Sequence, residues 1–493
     1  FWWEGPDGSR ILAHLSSTHF GANIDPDLML TNWNEYKQKN ILGEAIYNYG
    51  YGDGRGGPNR KDLLTARRLK SCPAIPSSEL IHGEDAFKRF EADISDLPVW
   101  KDEIYLETHR GTYTTQAKLK NNNRRAEILC RNIEALSALA NLEGHAYPSE
   151  EIEKIWRIVL KNQFHDILPG SHIHEAFQDS IKDYEQVFIL GDALLNRALN
   201  NLLSPNKQSS TVAVINTLTW ERNDIVEIKL PAGNFTNPIV FDSKGTEIPS
   251  QIISRDEKCI CIITYVEQVP SFGYKLLSVR EGKSTFQSSC NRSEHVFESD
   301  FFTIEIAEDG SLASIFDRTN NKEILVPGEH GNRFQLFEDV PGKYAAWDIV
   351  PAYKDHEFPM SGVAKTTVTE DGPVRLVIQQ ERSFYNSHIT QKIVLYAHIP
   401  KIDFITDIDW EERDRLLKAG FPVDINAIRA TYDMSFGYIE RPTHQNTSWD
   451  AAKFEVASHM WTDLSEGDYG VSLLNDCKYG FDVSDKHVRM TLL

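Results

Sequence analysis

Trp156-Arg-Ile-Val-Leu-Lys-Asn-Gln-Phe-His-Asp-Ile-Leu-Pro-Gly-Ser171 joins two helical patterns and sets His165 beside Asp166. Upstream, apolar residues recur at Ile152, Ile155, Trp156 and Val159, the spacing of one helix face, with Ser149 placed to cap the start and Pro169-Gly170 to stop the helix. At about 100° per residue, Asp166 returns to that apolar face and His165 falls to one side, along the row of Ile158 and Asn162. An imidazole and a carboxylate at the frayed end of a buried helix are costly unless a metal, a ligand or a hydrogen bond satisfies them. A histidine bonded to a loop carbonyl would satisfy the same pattern.

Outward from this stretch the helical period persists. Ala126, Leu129, Cys130, Ile133, Leu136 and Ala140 form one face of a helix beginning near Arg125, and Ile173, Ala176, Phe177, Ile181, Tyr184, Phe188, Leu195 and Leu202 form a third. Connections this short predict antiparallel neighbours and a three-helix bundle over 121–205. Beyond Ser204-Pro-Asn-Lys-Gln-Ser-Ser210 the period becomes two, with Val212, Val214, Val226, Ile228, Leu230, Ile260 and Ile262 in strands of a small β domain over 206–283. A polar linker, Glu281 to Ser289, leads to a larger unit over 290–493. There Phe301-Phe-Thr-Ile-Glu-Ile306, Ser311-Leu-Ala-Ser-Ile-Phe316 and Ile402-Asp-Phe-Ile-Thr-Asp-Ile-Asp-Trp410 read as strands of an antiparallel sandwich. The last residues, Thr491-Leu-Leu493, read as a strand cut open at a sheet edge, and Phe1 opens the chain without a methionine. Both ends are expected to be those of an internal fragment.

Before the bundle, a turn at Glu4-Gly-Pro-Asp-Gly-Ser9 precedes a short strand, Ile11 to Leu15, and a polar helix around Met29 to Lys39. Glu44-Ala-Ile-Tyr-Asn-Tyr-Gly-Tyr-Gly-Asp-Gly-Arg-Gly-Gly-Pro58 then reads as a strand entering a glycine-dense loop with Asp53 at its mouth. Glycines permit close approach of a ligand to the backbone, although a plain surface turn has the same composition. The spacing matches neither phosphate-binding nor dinucleotide-binding loops. Ile104 to Gln116 stands just before a helix and carries Tyr113, a candidate binding aromatic that core packing would equally explain.

With 493 residues the chain is long for one core. A formal charge of −20 argues against nucleic acid as a partner, because that affinity rests on clustered Lys and Arg. No run approaches the roughly 20 apolar residues of a membrane span. Six cysteines at 72, 130, 259, 261, 290 and 477 lack metal-binding spacing and fit a reducing compartment. Glycosylation triplets at Asn234, Asn291 and Asn446 point the other way.

The run Asn162 to Ser171 resembles the histidine-aspartate signature in the helical domain of glycoside hydrolase family 38, the zinc-dependent α-mannosidases. Tyr51-Gly-Asp-Gly54 and Ile104 to Gln116 are similar to further segments of that family, as is the strand and turn ending at Asp317. Glu440-Arg-Pro-Thr-His-Gln-Asn-Thr-Ser-Trp-Asp450 and Asp463 to Gly480 resemble long motifs of its cytosolic and vacuolar branch. The resemblance implies a multidomain α+β chain: the end of an α/β catalytic domain over 1–120, then the bundle and the two β domains. It implies retaining hydrolysis of terminal α-mannosides, with His165 as a zinc ligand and Asp166 on sugar hydroxyls beside the metal. Asp53 is the candidate general acid, although Gly54 stands where other branches carry a second aspartate, and Tyr113 is expected to line the sugar site. The remaining zinc ligands and the nucleophile lie, by the same resemblance, before Phe1, so these residues alone are expected to be inactive. Around Phe334 to Asp348, Tyr344 and Trp347 could stack on a sugar, core packing being the alternative. The expected partner is a carbohydrate, with no nucleic acid and no membrane span, a homo-oligomer being left open. The expected location is cytoplasmic, with a vacuolar or lysosome-like one as alternative. Competing functions are hydrolysis of another α-mannosylated small solute and non-catalytic carbohydrate binding.

Overall fold

The computed structural model describes residues 1–17, 22–51, 56–94, 96–203, 210–288, 290–360, 362 and 364–493. The chain divides into two compact units, Phe1–Tyr105 and Leu106–Leu493.

In the first unit, strand Trp2–Glu4 pairs antiparallel with Arg10–Leu12 and parallel with Val99–Trp100. Three helices follow in order: α1 (Pro26–Glu35), capped by the Asp25 carboxylate; α2 (Arg60–Leu69), with a reciprocal Asn59–Asp62 capping box; and α3 (Gly83–Asp93). Two small apolar clusters hold them, one around Ile24, Ala66 and Leu69 and the other around Leu42, Ala86 and Phe90. Residues 44–50, expected as a strand, pair with no other strand among the described residues. The Ile46 N–H goes to His14 Nε2 and the Gly50 N–H to the Ala22 carbonyl, so the local β pattern finds no ladder.

The second unit begins with three helices: α4 (Ala117–Leu142), α5 (Ser149–Asn162) and α6 (His174–Leu203). They enclose Leu119, Ala126, Ile133, Ile155, Val159, Tyr184 and Val187. The structure corrects the expected cap of α5. Its N-cap is Pro148, with no side-chain bond, and Ser149 is already helical. Nor does α5 run into His165. It ends at Asn162, where the Gln163 N–H reaches both the Val159 and Leu160 carbonyls and the last turn tightens. Ile173, expected on the apolar face of the third helix, precedes that helix and is exposed.

The β part builds two layered cores. In the first, Val214, Val240 and Leu277 of one sheet face Ile228, Ile260 and Ile262 of another. In the second, strands Val296–Glu298 to Leu312–Asp317 pack against the four-stranded sheet of residues 365–409 through Ile304, Leu312, Ile315, Leu376, Ile378 and Ile393. Farther along the same face of that four-stranded sheet, Phe384 and Ile389 meet a six-stranded sheet through Phe334, Leu336 and Leu417. The final strand, His487–Thr491, is interior to the six-stranded sheet, pairing with Arg415–Pro422 and with Gly480–Ser484, and is no open edge. No helix among the described residues is long and apolar enough to cross a membrane.

Candidate functional site

After α5 the chain makes a short turn, with Ile167 and Leu168 N–H both bonded to the Phe164 carbonyl and Gly170 N–H to the Ile167 carbonyl. Ending the helix at Asn162 removes His165 and Asp166 from its face. Their side chains are 67% and 42% exposed, so the apolar-face placement of Asp166 expected from helical spacing is corrected. His165 Nε2 lies 3.5 Å from Asp166 Oδ2, and the Ser171 hydroxyl donates to Asp166 Oδ1 at 2.8 Å. The His165 ring leans on Phe164 at 4.1 Å between centroids.

The display is exposed, yet the turn beneath it is anchored on both sides. Upstream, buried Asn162 donates to Asp183 of α6 at 2.9 Å. Gln163 donates to Glu127 at 2.7 Å and Asn123 at 3.1 Å, both on α4. Asn123 in turn accepts from the hydroxyl of Tyr184 on α6. Downstream, Lys120 of α4, only 4% exposed, donates to the carbonyls of Thr115, Leu168 and Pro169 at 2.5, 3.0 and 3.2 Å. Burial pushes the Lys120 amine down to about 7, with like charge from Lys478 adding to the shift.

The second segment at this end is a 3₁₀ turn, Arg110–Tyr113. Tyr113 is half-buried at its close. The third is the turn Tyr344–Asp348, and Thr115 connects it to the others: its hydroxyl lies 2.9 Å from both the Gly111 and Ala346 carbonyls. Gly111 N–H donates to the Trp347 carbonyl, and a Cβ there would stand 3.0 Å from the Asp348 nitrogen. Trp347 meets His109 edge-on at 4.7 Å and Tyr344 at 5.1 Å. His109, Gln116 and Tyr344 are all left-handed at φ 64°, 56° and 56°, a costly backbone state that packing must hold in place.

The structure thus brings Tyr113 and the His165–Asp166 turn to the same end of the bundle through Thr115 and Lys120. Asp53 lies outside the described residues. Lys120 and Thr115 had not been singled out by sequence. The signal for Lys120 was a polar stripe, Lys120, Asn123, Arg124 and Glu127, at helical spacing ahead of the apolar face. A zinc site needs about three or four nitrogen, oxygen or sulfur donors. Among the described residues no group of three or more His, Cys, Asp or Glu could hold a metal ion. His165, with its exposed ring, fits as a contributor of one ligand; the described residues do not make a complete site.

Three family models match the chain in succession: the glycosyl hydrolases family 38 N-terminal domain over residues 1–103, the alpha mannosidase middle domain over 107–202 and the glycosyl hydrolases family 38 C-terminal domain over 297–493. Alpha-mannosidase 2C1 of Mus musculus is 32% identical across 100% of this chain and 46% of its own length. Alpha-mannosidase G of Dictyostelium discoideum is 30% identical, likewise across the whole chain and 48% of its own. The chain therefore spans about half the length of these curated relatives. An alpha-mannosidase from Enterococcus faecalis V583 shares the fold, with a TM-score of 0.81 at 17% identity over 100% of this chain and 65% of that one. The three models follow one another along most of the chain in the order N-terminal, middle and C-terminal, and the chain belongs to glycosyl hydrolase family 38.

Proposed function

We propose that this chain serves a retaining, zinc-dependent α-mannosidase that removes terminal α-mannosyl residues from oligosaccharides. The observation that carries the reading is the anchored turn presenting His165 and Asp166 to solvent. Three helices hold the backbone on which an exposed imidazole and carboxylate stand, an arrangement that core packing alone does not require. Zinc, when bound, would clamp sugar hydroxyls and draw off charge as an oxocarbenium-like state develops.

In this reading His165 supplies one metal ligand. The Asp166 carboxylate accepts hydrogen bonds from substrate hydroxyls on Oδ2, while Ser171 holds Oδ1 and so fixes the plane of the group. Tyr113 borders the sugar, and Asp53 donates the proton to the leaving oxygen. The catalytic carboxyls of such an enzyme stand about 5–5.5 Å apart. We also place the protein in the cytoplasm, a reading supported by six free cysteines. The test is NMR of the intact protein turning over an aryl α-mannoside. Release of α-mannose as the first product supports the reading; β-mannose appearing first rejects the retaining mechanism.

A further inference from the structure

Lys120 is a buried amine whose hydrogen bonds among the described residues go to three backbone carbonyls and to no carboxylate. Burying such a polar group is costly, and an apolar side chain of similar length would fill the same space at lower cost. What the amine does that methionine could not is join two separate segments. One acceptor, Thr115, closes the Tyr113 turn; the other two, Leu168 and Pro169, follow His165 and Asp166.

A second observation places the same two segments in close contact. Gly170 adopts φ +90°, and a Cβ there would lie 2.6 Å from the Thr115 carbonyl oxygen and 2.9 Å from Gln116 Cβ. The approach is therefore closer than any other residue would tolerate.

We infer that Lys120 is a positioning residue: its side chain fixes the His165–Asp166 turn against the Tyr113 segment, so that ligand and sugar contacts keep one separation. This rests on the function proposed above for His165 and Asp166. Lys120 touches neither substrate nor metal in this account. Its effect passes through the carbonyls of Leu168 and Pro169, as outer partners of a metal ligand typically act.

The test uses the intact protein and its Lys120→Met variant, with zinc affinity read by chelator competition and hydrogen exchange read at the amides of Ile167, Leu168 and Gly170. The variant is expected to bind zinc about 10- to 100-fold more weakly. Exchange at those three amides should speed up by about tenfold, with the α5 and α6 core unchanged. Lys120→Arg, which keeps charge and donors, should recover part of both losses. A Lys120→Met protein that melts earlier yet keeps its zinc affinity and its turn protection would overturn the inference, leaving the lysine a merely structural group. If Lys120→Met does not fold, Gly170→Ala disturbs the same contact with the lysine intact; it should show the same two changes, and their absence would overturn the inference equally. A His165→Ala control separates the two levels. Zinc retained there defeats the proposed function itself, whereas zinc lost there but retained in Lys120→Met defeats only the positioning role.

Discussion

His165 and Asp166 reach solvent because α5 stops three residues before His165, and that stop is made by Gln163, whose amide side chain is drawn to Glu127 and Asn123. Helical spacing carried past Asn162 therefore put Asp166 on an apolar face that the chain has already left. Two predictions belong at this scale. Asp53→Asn in the intact protein should cut turnover of poor leaving groups by about 10²- to 10⁴-fold, with a smaller loss where the leaving group needs no proton. Equal losses on both substrate types, measured by kcat/KM, would remove Asp53 from the acid role. Asp339 gives the second. Burial, with repulsion from Asp414, pushes its carboxyl up to about 6, and Oδ1 is buried without a partner among the described residues. Its folded-state value lies above the ordinary 3.8, so the folded chain binds more protons between about 4 and 6. That contribution is present at low pH and is lost as pH rises through about 6. Asp339→Asn should accordingly raise stability at pH 7, by about 1 kcal/mol after allowance for solvent screening, and flatten this part of the pH profile. Denaturant unfolding at pH 5 and 7 measures it.

Elements whose stability comes from one apolar face were legible. The bundle is the clearest case, since Ile152, Ile155 and Val159 meet Tyr184 and Val187 as their spacing required. The start of α4 was not, because its buried face is polar: Lys120, Asn123 and Arg124 point inward and bond to loops rather than to an oil-like core. Residues 44–50 failed for a different reason. Their aromatic and branched residues suit a strand, but no neighbour among the described residues pairs with them. The six-stranded sheet holds another feature that no periodicity reveals. Fully buried Lys418 bonds to Glu455, to Asp482 at 2.8 Å and to Thr491 at 2.8 Å, while Arg489 clasps the other Asp482 oxygen. These opposite charges hold Asp482 well below and Lys418 well above their ordinary ranges. Lys418→Met takes the buried cation away from Glu455, while Asp482 keeps Arg489, and should cost on the order of 3–5 kcal/mol. Thermal unfolding checks it; a change under about 1 kcal/mol would mean the network is worth little.

At the scale of the whole molecule, the order of parts was legible because each changes the period of the sequence: mixed, then helical, then alternating. Which loops meet was not, since Thr115 joins Ala346 across more than two hundred residues, and no local pattern encodes such a contact. The same holds for the tie between bundle and β part, where Arg124 reaches the carbonyls of His459 and Asn475 and stacks on Tyr479. The central claim is that this scaffold exists to present His165 to a metal. It is tested most directly by the zinc content of the intact protein and of its His165→Ala variant, measured by mass spectrometry of the elements after gel filtration. One zinc per subunit in the parent, and far less in a variant that still folds, is the predicted result. Equal zinc in both would contradict it.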